Sequence, residues 1–383
     1  MENYVINLRR ELHENAECGF DLPKTLAILR RELDKIGVEY TESYGKSSIV
    51  ATVNPEKSHF TIGVRADIDA LPILEKTDLP YKSKTDGTMH ACGHDAHTAI
   101  AMATLREIYA LRDKIDCRVK FIFQAAEEFE PSGAKLMVDD GVMKDIDCIL
   151  ALHTDTDFPA GVIGLIPGYS SAASDGRIIE FYGKNAHAAL QHEGVDAIMM
   201  AVKAYTEIEF MIAKEISARE PIIFNVGSIH GGKVNNIICN ECSMYFTLRT
   251  FVNETREKVL DKIEMICKSV AEISGGDYRI IQKKHYPMVY NDERMHELVK
   301  RAAEKAVGEE NLAVKRRGLG GEDFSYFANE KPGYMFRLGI KNEEKGITHT
   351  AHTDLFDLDE SALKYGVKTF VTFILDNMKG IDF

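Results

Sequence analysis

No stretch of this 383-residue chain approaches the ~20 consecutive apolar residues that a membrane-spanning helix needs, so no transmembrane segment is expected. The first residues, MENYVINLRRELHENAE, lack an apolar core and a small-residue cleavage site, so they read as a charged helix and not as a secretory signal. Cysteine is sparse and unpaired in number. The seven residues (Cys18, Cys92, Cys117, Cys148, Cys239, Cys242, Cys267) are scattered through a large chain, which argues against a disulfide framework. A reducing cytoplasm fits these absences. Positive charge is also in deficit: the formal net charge is −13. An acidic surface disfavours a nucleic-acid backbone or an anionic membrane as the main partner, but it leaves room for a small anionic substrate in a local basic pocket. Internal repeats and low-complexity tracts are absent as well.

What is present is ample apolar material, 45% of the chain, and a length that suits two domains or one domain with a large insertion. Residues 1–36 have helical periodicity with a break near residues 19–23. Residues 49–53, 60–64, 119–123 and 146–152 are short apolar runs that read as strands, and residues 94–111 form an alanine-rich helix. Continuous apolar strands alternating with helices indicate a mostly parallel sheet covered on both faces, an α/β layered domain. The character changes near Gly168, where residues 169–175 are small and polar, like a linker. Residues 177–283 then follow a strand-helix-strand-strand-helix-strand order, a ferredoxin-like α+β unit. A helix at 293–307, a strand at 335–340 and a helix at 361–377 would complete the first domain. The expected organisation is therefore one α/β domain of residues 1–172 and 288–383, with residues 173–287 inserted as a second, smaller unit.

Ligand sites in open α/β sheets form at the carboxyl ends of strands. Several segments bring metal-binding residue types there: Asp67 and Asp69, Glu127 and Glu128, His153, and His349 with His352. The sequence Cys92-Gly93-His94-Asp95-Ala96-His97 opens the alanine-rich helix. Cys92 alone would read as a buried core residue, but thiolate, imidazole and carboxylate together suit zinc or another borderline divalent ion. A thiolate sulfur can bridge two cations. His97 reads as a supporting residue, and Asp67 as one that orients a ligand or balances charge. Asp69 stays ambiguous. The adjacent carboxylates Glu127 and Glu128 would point opposite ways on an extended segment, one to a metal and the other to water and substrate. A divalent ion lowers the pKa of a bound water to about 7, and a nearby glutamate can move its proton to a leaving amine.

The chain resembles the aminoacylase-like metal-dependent amidohydrolases, which include hippurate and auxin-conjugate hydrolases and are relatives of zinc carboxypeptidases. The resemblance runs nearly end to end, through Arg10-Glu11-Leu12-His13, Val64 to Pro72, Gly87 to His97, Phe123 to Glu128, Ala151-Leu152-His153, Gly183 to His187, Gly231 through Asn236, Glu322-Asp323-Phe324, and His352 through Asp357. It implies that Cys92 bridges two divalent ions, zinc or manganese. His94, Glu128, His153 and His352 complete the coordination, and Glu127 is the general acid/base. It further implies that residues 1–172 and 288–383 are the catalytic domain and residues 173–287 a lid that serves a homodimer, that His187 on this lid helps bind the scissile carbonyl oxygen, and that Asn236, Arg249 and Gly321 contact the substrate. The substrate would be a small N-acylated amino acid. The same metals would also serve a dipeptidase or carboxypeptidase. A cysteine nucleophile at Cys92 would leave Glu128, His153 and His352 without roles, and a purely structural metal site would not need Glu127. Gln191 and Cys239 stand where the family usually has proline, and the loop Gly318-Leu319-Gly320-Gly321 differs from relatives that carry a serine there.

Overall fold

The computed structural model describes residues 1–383. Its strands are β1 (Glu39–Thr41), β2 (Ile49–Val53), β3 (Thr61–Asp67), β4 (Arg118–Gln124), β5 (Cys148–Pro159), β6 (Ile163–Leu165), β7 (Gly168–Ser171), β8 (Ala173–Tyr182), β9 (Ile222–Gly231), β10 (Glu241–Thr250), β11 (Asp277–Tyr286), β12 (Val289–Asn291), β13 (Leu312–Val314) and β14 (Gly333–Lys341). Its α-helices are α1 (Glu2–Glu14), α2 (Pro23–Ile36), α3 (His94–Ala110), α4 (Gly133–Asp139), α5 (Ala197–Glu215), α6 (Asn253–Ser274), α7 (Glu293–Val307), α8 (Phe324–Glu330) and α9 (Leu363–Asn377). None of these helices is long and apolar enough to cross a membrane.

The chain divides into two compact units. The first comprises residues 1–170, 289–317 and 323–383. Its eight-stranded sheet has the order β1-β2-β4-β3-β5-β14-β6-β13. The four middle strands, β4, β3, β5 and β14, run parallel, while β2 and β6 are antiparallel to their inner neighbours. All seven residues of β3 are buried, as a central strand covered on both faces requires. One face packs on α1, α3 and α9 through a large apolar cluster; on the other, a smaller cluster gathers Ala134, Met137, Phe324 and Phe327 from α4 and α8. Helix α3 is buried on nearly all sides, which its run of alanines permits.

The second unit comprises residues 171–288 together with 318–322. Strands β8, β9, β10 and β11 form an antiparallel sheet in the order β11-β8-β10-β9, with α5 and α6 as crossovers. This is the ferredoxin-like arrangement. Its core is a separate cluster that includes Ile179, Phe181, Met200, Met244, Phe246 and Ile263.

Two local expectations fail. Residues 169–175 are not a linker, because most of them belong to β7 and β8. Small residues here satisfy a buried strand: Ala172, Ala173, Ser174 and Asp175 are all buried. His153 does not follow its strand but lies within it, since β5 runs on to Pro159. Its apolar half is what the sequence pattern registers; the polar half, Thr154 to Asp157, carries no apolar signal.

Candidate metal centre

Three structural accidents of sequence put the candidate ligands together in the first unit. Gly93 adopts φ 80°, the left-handed region that glycine enters freely, and it turns the chain from Cys92 directly into α3 at His94. A side chain at Gly93 would run into that of Thr154 on β5, so only glycine lets this loop close on the strand. Ala126 sits at φ 53° and His352 at φ 64°, both left-handed and both non-glycine, the kind of backbone strain that clusters at functional sites. His352 is held there by its amide, which donates to the Ala91 carbonyl at 2.8 Å.

The candidate ligand atoms of Cys92, His94 and His153 lie within 4.8 Å of one another, and those of Cys92, Glu128 and His352 form a second such group. The two groups share the Cys92 sulfur. Cys92 Sγ lies 3.5 Å from His153 Nε2 and 3.3 Å from His352 Nε2, and His352 Nε2 is 3.1 Å from Glu128 Oε1. The histidine tautomers follow from their other nitrogens. His153 Nδ1 donates to the Thr154 carbonyl at 2.6 Å, and His94 Nδ1 donates to the Asp69 carbonyl at 2.8 Å. Each imidazole therefore presents an Nε2 lone pair to the cluster, the outer hydrogen bond fixing ring orientation as it does at metal sites. His94 Nε2 is buried and makes no hydrogen bond. An orphaned buried acceptor, a shared thiol and a mixed sulfur, nitrogen and oxygen donor set fit divalent ions of the zinc or manganese kind.

The electrostatics agree. Burial alone would depress the His94 imidazole, but Asp67, the bond to Asp69 and Cys92 carry its pKa well above the ordinary value. Contacts with Cys92 and Glu128 raise that of His352 to about 10. The pocket thus attracts positive charge. His153 goes the other way, held well below its usual value by burial and by the nearby guanidinium of Arg337.

The carboxylates Glu127 and Glu128 do not splay as neighbours on an extended segment would. The segment after β4 is a loop with Ala126 left-handed, and one oxygen of each carboxylate lies within 4.8 Å of the other and of a His94 nitrogen. Asp69 enforces this: its two carboxylate oxygens accept the amides of Glu127 at 3.0 Å and Glu128 at 3.2 Å. Asp69 is ambiguous in the sequence, where its alternation with Asp67 just past β3 is the one signal of its role. Asp67 is buried, with Arg65 at 2.8 Å and His97 at 2.7 Å, and its pKa lies well below the carboxylate range because His94, His97 and Arg65 outweigh burial. His97 Nε2 accepts the Thr154 amide at 2.9 Å, so its Nδ1 carries the proton given to Asp67, and both ring nitrogens are engaged in hydrogen bonds.

Behind these residues lies a buried layer to which the sequence alone assigns no role. Arg65 bridges Asp67 to Asp323, whose fully buried carboxylate also accepts from Gln124 and Ser132, each at 2.7 Å. Arg9 and His13 of α1 both reach Asp95 in the first turn of α3 at 2.7 Å. His349, the alternative to His352, is exposed and joins neither group of donors.

The remaining candidates belong to the second unit. His187 is exposed, and its Nδ1 accepts the Ala189 amide at 3.1 Å. Asn236 lies beside it: the Asn236 carbonyl accepts the amide of Ala188 at 2.9 Å. Arg249 pairs in register with Ser174 near the opposite end of the sheet, and its Nη1 donates to the Leu319 carbonyl at 3.3 Å. Gly321 closes on Tyr286 and Ser174, at that same end. From Glu241, next to the His187 end, to Arg249 is eight residues of β10, about 27 Å at ~3.4 Å per residue. His187 and Asn236 therefore form one group and Arg249 and Gly321 another, too far apart for a small substrate to touch both in one copy.

With this geometry in hand, comparison with known proteins decides the family. Residues 63–376 match the model of Peptidase family M20/M25/M40. The chain belongs to this family. It is a metal-dependent amidohydrolase of the aminoacylase-like kind. Among its M20 relatives, N-acetyldiaminopimelate deacetylase of Priestia megaterium is 35% identical over 353 residues, 91% of this chain and 92% of that protein. Thermostable carboxypeptidase 1 of Saccharolobus solfataricus is 34% identical over 370 residues, 96% of this chain and 93% of that protein. A Bacillus subtilis protein described as a dinuclear metal binding peptidase from the M20 family superposes with a TM-score of 0.83 at 29% identity, covering 99% of both chains.

Proposed function

We propose that this protein hydrolyses the amide bond of small N-acyl amino acids, releasing a carboxylate and a free amino acid. The observation that carries this reading is the pair of donor groups sharing Cys92, with the Glu127 carboxylate beside them. Cys92, His94 and His153 would hold one divalent ion; Cys92, Glu128 and His352 would hold the other. Bound there, zinc or manganese would polarise the scissile carbonyl and lower the pKa of the attacking water. Glu127 is the proton carrier. It takes the proton from the water and returns it to the amide nitrogen, which leaves only once protonated. Its amide is fixed by Asp69, and the Asp323 amide lies 3.4 Å from its Oε1. Since Glu127 and Glu128 approach closely, ligation of Glu128 is what separates their roles.

His187 is proposed as the donor to the carbonyl oxygen as it gains charge. Its Nδ1 is an acceptor in the present structure, so its proton is on Nε2, free to donate. Arg249 and Gly321 of one copy and Asn236 of a second copy are proposed to contact the substrate. A homodimer is proposed through the second unit. Strand β9 leaves an unpaired edge, and Ile198, Met199, Val202 and Ile229 expose apolar side chains near it. In such a dimer, His187 of one copy can serve the substrate of the other. All seven cysteines are free, which suits a reducing cytoplasm.

The relative named as a carboxypeptidase supports a second reading, dipeptide or peptide C-terminal cleavage, because a peptide bond needs the same chemistry. A panel of N-acetyl and N-benzoyl amino acids and dipeptides, assayed with several divalent ions, separates the two. Turnover of N-acyl amino acids well above dipeptides supports the proposal; the reverse order overturns it in favour of the peptidase.

A further inference from the structure

One cation beside the metal centre has no counterion. Strand β14 runs parallel to β5 with Arg337 in register with His153, and register partners on parallel strands about 4.8 Å apart share a face. The surrounding rows confirm the face. Met335 packs with Ile149 and Ala151 in the smaller cluster, while Phe336 and Leu338 join Leu150 and Leu152 in the larger one. By alternation, Arg337 and His153 continue the row of Met335 and Ala151. On its other side, β14 meets β6, and the residue opposite Arg337 is Gly164. A Cβ there would stand 3.1 Å from Arg337 Cβ, so glycine leaves the arginine stem uncrowded.

The guanidinium is partly buried yet makes no hydrogen bond and no ion pair. The buried arginines of this unit behave differently: Arg9 and Arg65 are both matched to carboxylates. Arg337 instead lines a cavity of about 220 Å³ whose wall includes His153, Asp155, Asp157, Lys315, Ala351 and Phe356. Lys315 is already committed to Asp155 and Asp157. Arg337 is thus the cation in this cavity without an acidic partner, next to a residue that would hold metal.

We propose that Arg337 anchors a carboxylate of the substrate, making a free carboxylate a specificity requirement of the enzyme. This rests on the hydrolase reading above and names the substrate feature that the site selects. A guanidinium fork pairs two N–H donors with the two oxygens of a carboxylate, a match that a carboxamide cannot make. The carboxylate could belong to the amino-acid half or to the acyl half, and substrates with an acid on only one side distinguish them.

The experiment compares the metal-loaded wild type with Arg337→Met and Arg337→Lys. The substrates are an N-acetyl amino acid and its carboxamide, and an N-succinyl alkylamine and its carboxamide. Binding of benzoate and of benzamide is measured in parallel by calorimetry, with bound metal quantified. Arg337→Met should lose about 10–100-fold in kcat/KM, mostly through KM, on one of the two acids, as expected for a hydrogen-bonded charge pair. The carboxamides should change less than twofold, Arg337→Lys should fall between, and benzoate should bind the variant more weakly at equal metal content. Equal losses on acid and carboxamide, or unchanged acid kinetics with unchanged benzoate affinity, would overturn the anchor. If the wild type cleaves none of these amides while benzoate still distinguishes it from Arg337→Met, the hydrolase reading falls and the anion site stands.

Discussion

Replacing Glu127 by glutamine isolates one step of the proposed chemistry. The substitution keeps volume and polarity and removes only the ability to carry a proton. Glu127 is buried, its amide is bound to Asp69, and one carboxylate oxygen lies 3.4 Å from the Asp323 amide. A glutamine oxygen can keep that last contact, so the fold and the donor groups around Cys92 should persist. The loss is then catalytic: general acid/base catalysis contributes about 10²–10⁴-fold, or about 2.7–5.4 kcal/mol of barrier at ~1.36 kcal/mol per tenfold. The neighbouring Glu128→Gln change touches a different function, because Glu128 lies 3.1 Å from His352 and in the Cys92 group. The assay measures turnover of an N-acetyl amino acid and bound metal by elemental analysis for both variants. Glu127→Gln should keep its metal and lose turnover by at least a hundredfold, while Glu128→Gln loses metal. The reverse pattern would exchange their roles, and full activity in both would refute the proton-carrier argument.

Asp323→Ala leaves the buried Arg65 guanidinium without one of its carboxylate partners and removes an acceptor of Gln124 and Ser132. Breaking such a buried pair costs roughly 3–5 kcal/mol, visible in the urea midpoint. Asp175 is held below the carboxylate range, since His285 and Arg256 outweigh a burial effect that would raise it. A depressed folded pKa contributes stability that is complete above the unfolded value of about 3.9 and lost as pH falls through the folded one. Asp175→Asn should therefore flatten the acid limb of stability below about pH 4; an unchanged limb would contradict the assignment. His187→Ala should lower turnover about 10²–10³-fold with metal content unchanged, and wild-type turnover would remove it from the mechanism.

How legible this was in the sequence depended on the kind of signal. Apolar runs such as those of β3 and β4 mark the central strands, helical periodicity marks α1, and the run of alanines marks α3. Short strands such as β6 and β13, three residues each, carry too little pattern to read. Residues 177–182 of β8 are legible, but β7 and the start of β8 carry no strand signal because small polar residues fill them. The ligand types converged as their positions at strand ends suggested, but the posture of Glu127 and Glu128 did not. A left-handed Ala126 and the clamp from Asp69 are set by backbone conformation and long-range contact, which residue spacing does not encode. Arg337 was invisible for the same reason: an arginine inside an apolar strand gains meaning only from its register with His153.

The most direct test of the account is a metal titration of the intact protein. The chain is stripped with a chelator, dialysed free of it, and titrated with zinc or manganese while turnover of an N-acetyl amino acid is followed. The account predicts no turnover without metal and activity that rises to a plateau at two ions per chain, with Cys92→Ala failing to reach it. Turnover that persists in the stripped protein, or that thiol alkylation abolishes while added metal has no effect, would contradict it.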